Sequence, residues 1–403
     1  MNPSIPFHLM AKPSGSLCNM DCHYCFYLEK SKLYPETTEW AMSKMVQENY
    51  IIKYIESQDT DIITFAWQGG EPTLLGLDFY KRVVKLQQKY ANGKQIDNTF
   101  QTNGVLLDDE WCNFFASNNF LIGLSIDGPR EIHDQYRVMK GGQPTFNKVY
   151  SGLKLLQKHN VEFNTLTCVQ RSNAYKPLEV YNFLKEVGSK YIQFIPIVER
   201  KLSETKNATE FQLPLPSEEV TASIAEWAVE PLQFGKFLSE IFDEWVKADV
   251  GKYYVQMFDI ALESWYTGKS SLCIFNETCG RAAAIEHNGD IYSCDHYVYP
   301  EYKIGNIIRD DLKKVMNSGK QIKFGLDKSL TLTKYCQQCE FKFACWGDCP
   351  KHRFSTTPDG EYGLSYLCAG YKYFFNHVDP YMNFMVNELR NERPPANVMK
   401  FRE

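Results

Sequence analysis

Two hydrophobic periods alternate along the first half of this chain, and together they leave few folds open. Short β-rich runs recur as "PFHLMAK", "DIITFAW", "NTFQT", "FLIGLSI", "VEFNTLTCV" and "YIQFIPIV". Between them lie stretches with apolar residues three and four apart, among them "EWAMSKMVQENYIIKYI", "DFYKRVVKLQQKY" and "FNKVYSGLKLLQKH", the spacing of an amphipathic helix. Repeated strand–helix–strand units predict parallel strands joined by right-handed crossovers. Six strands fall short of the eight that close a barrel, so the expected class is α/β with a partial barrel or a doubly wound sheet. In either fold, ligands gather at the carboxyl ends of the strands. Four turns, "CNMDCHYC", "QGGEP", "QTNG" and "SIDGP", each follow a strand directly, which places polar and glycine residues on one rim. Residues 200–235 are polar, contain Pro214 and Pro216, and read as a connecting excursion. Helices are expected after it, around 233–248 and 255–267. A core over 1–232 followed by a cysteine-rich domain over 233–403 is the organisation this implies.

The first turn holds Cys18, Cys22 and Cys25. Structural zinc takes four protein ligands, a closed iron–sulfur cube also takes four, and disulfides take pairs. Three thiols suit none of these. The chain has thirteen cysteines, eight of them between 273 and 368; Cys112 and Cys168 stand apart and read as small buried residues. No apolar run approaches the ~18 residues that span a bilayer. The start, "MNPSIPFHLM", lacks the charged-then-apolar pattern of a secretion signal. A cytoplasmic location is therefore expected, where clustered thiols hold metal or do redox chemistry. Three thiolates can hold three irons of a four-iron cube and leave the fourth open to the amino and carboxylate groups of an amino-acid-like ligand. If that ligand carries a sulfonium, an electron from a cluster poised as low as about −700 mV can break its carbon–sulfur bond and release a carbon radical.

"CNMDCHYC" is C-x3-C-x2-C with an aromatic, Tyr24, before the last cysteine. It resembles the signature of the radical S-adenosylmethionine (radical SAM) superfamily. The resemblance implies that Cys18, Cys22 and Cys25 ligate a SAM-cleaving [4Fe-4S] cluster. It also implies that Gly69, Gly70, Glu71 and Pro72 lie beside the methionine amino group of the cofactor. Glycines let a backbone approach a ligand closely, and a carboxylate partners an ammonium. Tyr24, Ser125, Asp127 and Arg137 are further candidates for cofactor contacts, with an ordinary structural ion pair the rival reading of Arg137. Gln68 occupies the family's substrate-facing position.

The second cysteine set runs C-x5-C-x14-C, then "CQQCEFKFACWGDC", then Cys368 after eighteen more residues. Eight thiols make two sites of four, and spacing alone leaves zinc and iron–sulfur equally open; the first motif points to iron–sulfur. With Gly289 between Cys279 and Cys294, the run looks like a SPASM domain. That resemblance implies one auxiliary [4Fe-4S] cluster on Cys273, Cys279, Cys294 and Cys349, and another on Cys336, Cys339, Cys345 and Cys368. The implied fold is a partial (β/α)6 TIM-like barrel with a C-terminal SPASM domain, and the implied cofactors are SAM and three [4Fe-4S] clusters.

"YSCDHYVY" sets Asp295 beside a cluster ligand. With "KPSGSLCNMDCHYCFY", "FAWQGGEPTL", "QTNGVLLD" and "GLSIDGPREIHD", it resembles the anaerobic sulfatase-maturating enzymes. These oxidise an active-site cysteine or serine of a sulfatase to Cα-formylglycine (3-oxoalanine), with an aspartate at this position as base. Removal of a β-hydrogen leaves a carbon radical; loss of a proton and a second electron then gives a thioaldehyde or aldehyde. A carboxylate accepts the proton once radical formation has acidified the thiol or hydroxyl, and partial burial is expected to raise the Asp295 pKa toward that task. The implied partners are an unfolded or nascent sulfatase segment of type C/S-x-P-x-R and a reducing donor such as flavodoxin or ferredoxin. A formal net charge of −5 argues against a nucleic-acid partner or an anionic-membrane surface. Two alternatives differ in class: a SPASM enzyme forming thioether or carbon–carbon crosslinks, and a non-catalytic iron–sulfur or zinc protein.

Overall fold

A computed structural model describes residues 6–202, 213 and 222–401. Six strands, β1 (His8–Lys12), β2 (Ile62–Trp67), β3 (Gln95–Thr102), β4 (Phe120–Ser125), β5 (Phe163–Val169) and β6 (Tyr191–Pro196), pair in chain order and in parallel. Helices α1 (Lys44–Ser57), α2 (Leu77–Tyr90) and α3 (Asp109–Ser117) link the first four strands, and Phe146–Lys158 and Pro177–Glu186 link the last three. The expected partial barrel is present. Its sheet is longer than six strands. Tyr254–Val255 adds in parallel outside β6, and Ala282–Glu286 adds in parallel outside β1. Two antiparallel strands, Asp290–Tyr292 and Lys303–Asn306, extend that second edge to make ten in all. Of the expected excursion, Arg200–Leu202 and Ala222–Ile224 pair antiparallel; Pro214 and Pro216 lie outside the described residues. The two expected helices occur at Pro231–Ala248 and Gln256–Thr267.

Alternation explains how the sheet is covered. In β2, Ile63, Phe65 and Trp67 are buried while Thr64 and Ala66 face the other side. The buried face packs on α1 and α2 through a chain of rings. Tyr50 and Tyr54 of α1 lie 5.4 and 5.0 Å from Phe65, and Tyr80 of α2 lies 5.8 Å from Trp67. Such pairs add about 0.5–1.5 kcal/mol each beyond area burial, and they fix the strand ends that carry the rim loops.

The C-terminal helix Cys368–Arg390 crosses Pro231–Ala248 with backbones in contact. A β-carbon on Gly235 would lie 2.3 Å from the Gly370 carbonyl, and one on Gly370 would lie 2.0 Å from that of Pro231. This crossing fixes Cys368, the first residue of its helix. A cavity of about 580 Å³ opens at the amino-terminal ends of the strands, beside Phe120, Tyr191 and Tyr254; none of the sequence-predicted site residues lines it.

Candidate active site

The loop after β1 carries the three N-terminal cysteines, and its neighbours are stitched to it by main chain. Gln68 N donates to Ala11 O at 2.9 Å, Gly70 N to Gly15 O at 2.8 Å, and Glu71 N to Leu17 O at 2.8 Å. A β-carbon on Gly70 would stand 2.0 Å from Leu17 O. The glycine that sequence reasoning assigned to ligand approach is thus demanded first by the cysteine loop itself. Glu71 is fully buried, and its carboxylate is occupied from within the protein. It accepts from Thr73 N (3.0 Å), Thr73 Oγ1 (2.6 Å), Thr102 Oγ1 (2.8 Å) and Asn103 N (2.8 Å). Burial pushes this carboxyl up, and those donors pull it back. Glu71 therefore braces "GGEP" to "QTNG". Asn103 completes the link, donating to Asn19 Oδ1 at 2.7 Å inside the cysteine loop.

Cys18, Cys22 and Cys25 stand close enough to feel one another. Burial is the main reason the Cys18 thiol is pushed up to about 12, with Cys25 among its acidic neighbours. Cys22 is raised by burial and then, against Arg137, by Cys25 and Cys18. Such thiols hold their protons until metal displaces them. The three thiols are thus gathered on one short loop at the carboxyl end of β1.

Behind them lies a closed polar cluster. Tyr24 Oη donates to Asp127 Oδ2 at 2.5 Å, and Arg137 Nε stands 3.0 Å from the same oxygen. Asp127 Oδ1 accepts from Cys168 N at 3.0 Å. Tyr24, Asp127 and Arg137 are all buried, so the ion pair expected as the rival reading of Arg137 is present. Ser125, the last residue of β4, is also buried. Cys112 is fully buried, as expected. Cys168 is not an ordinary core residue: it is only partly buried, and its sulfur lies 3.6 Å from Arg137 Nη2 on the rim. The alternation of β5 turned it toward the site.

Asp295 opens a short 3-10 turn, Asp295–Tyr297, and its Oδ1 meets Lys12 Nζ at 2.5 Å. Lys12 ends β1, is 2% exposed, and donates also to Gln68 Oε1 at 2.9 Å; Gln68 in turn hydrogen-bonds Gln101. One ammonium therefore joins the candidate base to the candidate substrate-facing amide. The expected rise in the Asp295 pKa is not found. Burial is the strongest influence and acts to raise it, but Lys12, His296 and Lys30 together more than offset burial and hold the carboxyl below its ordinary value. Sequence reasoning missed Lys12, whose only signal was a lysine closing an apolar strand.

Several of the eight C-terminal thiols lie close enough to act on one another. After burial, the Cys294 thiol is raised by Cys349 and Cys273, Cys279 by Cys273, and Cys349 by Asp348 and then Cys273. Cys345 is raised by burial, Asp348, Cys368 and Cys336, and Cys368 by burial, Cys336 and Cys339. Among the described residues no three His, Cys, Asp or Glu side chains converge as ligands of a single ion; thiolates on separate irons of a cube stand further apart. Among the described residues, too, no helix is long and apolar enough to cross a membrane.

Comparison with known proteins agrees with this layout. Residues 13–184 match the radical SAM superfamily and residues 273–340 the SPASM iron–sulfur cluster-binding domain. The chain is 50% identical over 395 residues to a serine-type anaerobic sulfatase-maturating enzyme of Bacteroides thetaiotaomicron, covering 98% of this chain and 95% of that one. It is 34% identical over 389 residues to a cysteine-type enzyme of Clostridium perfringens, covering 96% of this chain and all of that one. A solved structure of native anSMEcpe with bound AdoMet and Cp18Cys peptide superposes with a TM-score of 0.82 at 33% identity, over 96% of this chain and all of that one. With both domains in place and this identity along almost its whole length, the chain belongs to the anaerobic sulfatase-maturating enzymes of the radical SAM superfamily.

Proposed function

We propose that the protein oxidises the active-site serine or cysteine of a sulfatase precursor to Cα-formylglycine, in the cytoplasm, on an unfolded or nascent S/C-x-P-x-R segment. Residues 1–232 form the SAM-cleaving core and 233–403 the auxiliary domain. Cys18, Cys22 and Cys25 ligate the SAM-cleaving cluster. Cys273, Cys279, Cys294 and Cys349 ligate one auxiliary cluster, and Cys336, Cys339, Cys345 and Cys368 the other. When bound, these groups supply a 5′-deoxyadenosyl radical for β-hydrogen removal and a sink for the second electron.

The chain's own residues do the rest. The turn at Gly69 and Gly70, braced by Glu71, shapes the cofactor's methionine end. Tyr24, Ser125, Asp127 and Arg137 wall the cofactor site. Gln68 orients the substrate main chain, and Asp295 takes the proton from the substrate thiol or hydroxyl. Lys12 holds the last two together. The observation that carries this reading is the Lys12 bridge, which sets Asp295, from the cysteine-rich region, at the same rim as the three-thiol loop. Identity to a serine-type relative supports acceptance of serine.

The test is anaerobic. Reconstituted protein, reductant and SAM are mixed with paired peptides built on S-x-P-x-R and C-x-P-x-R, and mass spectrometry follows each. Aldehyde on the serine peptide is expected. Formation of 5′-deoxyadenosine with aldehyde on neither peptide would overturn the reading, and a crosslinked product would favour the thioether or carbon–carbon alternative.

A further inference from the structure

Between the two auxiliary cysteine groups the protein buries two cations that the steps above do not use. Lys328 is fully buried, and its ammonium donates to the main-chain carbonyls of Ile274, at 2.9 Å, and Asn276. Both carbonyls lie in the loop from Cys273 to Cys279. The carbonyl of Lys328 accepts from Arg353 Nη1 at 2.6 Å. The rest of the Arg353 guanidinium caps Trp346 O at 2.7 Å, Gly347 O at 2.8 Å and Asp348 O at 3.2 Å. Those three residues are the entire span between Cys345 and Cys349, which fall in different groups. All three hold positive φ, 45°, 68° and 60°, a conformation that non-glycine residues keep only when their surroundings enforce it. The buried acid beside them, Asp348, accepts at Oδ2 from Ser365 Oγ and pairs there with His352 Nδ1, each at 2.8 Å. The two cations are thus held largely by carbonyl dipoles, Lys328 on the main chain between Cys273 and Cys279 and Arg353 on the main chain between Cys345 and Cys349.

We propose that Lys328 and Arg353 form a shared electrostatic clamp that raises the reduction potentials of both auxiliary clusters, so that the electron leaving the substrate settles in the C-terminal domain. This rests on the cluster ligation proposed above. The carbon radical loses one electron and one proton to become the aldehyde or thioaldehyde. The proton goes to Asp295, and the electron lowers the charge of an auxiliary cluster by one. A fixed cation stabilises that added negative charge, more strongly in a buried, low-dielectric setting. At the N-terminal site the comparable cation, Arg137, is matched by Asp127 at 3.0 Å, so its field largely cancels.

The test is a potentiometric titration, followed by electron paramagnetic resonance, of fully reconstituted protein without peptide. Lys328→Gln keeps a donor while removing the charge. Both auxiliary midpoints should fall, the SAM-cleaving midpoint should hold, and Lys328→Arg should restore the wild-type values. Unmoved auxiliary midpoints in Lys328→Gln at full iron content overturn the clamp. Should Lys328→Gln fail to retain iron, Asp348→Asn must raise both midpoints, and an unchanged or lower value overturns the proposal. Wild-type protein carrying fewer than about twelve irons would instead count against the ligation reading itself.

Discussion

The two cysteine regions meet the same demand by opposite means. In the N-terminal region three thiols fall within eight residues on one loop, and neighbouring loops reach that loop through main-chain hydrogen bonds. In the C-terminal region eight thiols are spread from 273 to 368, and each group draws on several separate elements. Charge differs in the same way. Around the first loop the buried charges close on one another, Arg137 with Asp127 and Glu71 with four donors. Around the second set two buried cations, Lys328 and Arg353, are capped mainly by carbonyls and stand against one buried acid, Asp348. A compact site is built by local sequence and, in the proposed ligation, left with an open position; a dispersed one is assembled by tertiary contacts.

The sharpest break of this comparison is cysteine removal in each region. Cys22→Ala should abolish 5′-deoxyadenosine formation, because no other thiol on that loop can replace it. Cys339→Ala should lower iron by up to about four per chain while SAM cleavage persists and aldehyde falls. Chromatography of 5′-deoxyadenosine beside iron analysis checks both. Equal loss of SAM cleavage in the two variants would dissolve the division of labour.

A smaller effect is expected at the junction. Asp295→Asn keeps the shape and removes the proton acceptor, so aldehyde should drop by roughly 10²–10⁴-fold while SAM cleavage continues. Full aldehyde yield from that variant would end the base role. Lys12→Met comes next. It keeps the Asp295 carboxyl but frees it and Gln68 to shift, and misplacement by about 1 Å costs about 10²-fold. Aldehyde should fall by about that much or less, with 5′-deoxyadenosine per chain little changed and Lys12→Arg partly restoring the yield.

The reach of sequence reasoning follows the same contrast. Strand alternation and the placement of polar turns after strands are short-range patterns, so β1–β6 and the rim position of the loop carrying Cys18, Cys22 and Cys25 were legible. The grouping of Cys349 with Cys273 rather than with Cys345 was not written in any spacing; it came from family resemblance, and it depends on a left-handed turn at 346–348. Lys12 was invisible because its partner lies 283 residues away, where a strand from the cysteine-rich region joins β1. The direction of the Asp295 shift was misjudged for that reason: burial is foreseeable from sequence, whereas the neutralising cation is a tertiary fact. Cys168 was misread because strand alternation gives two faces without saying which one meets Arg137.

The central claim is the open coordination position at the N-terminal site. Electron paramagnetic resonance of the reduced, oxygen-protected protein, recorded before and after addition of S-adenosylmethionine, tests it directly. The account predicts a changed signal for the N-terminal cluster in the wild type and in Cys339→Ala, and none in Cys22→Ala. A wild-type spectrum that stays the same when the cofactor is added would contradict it.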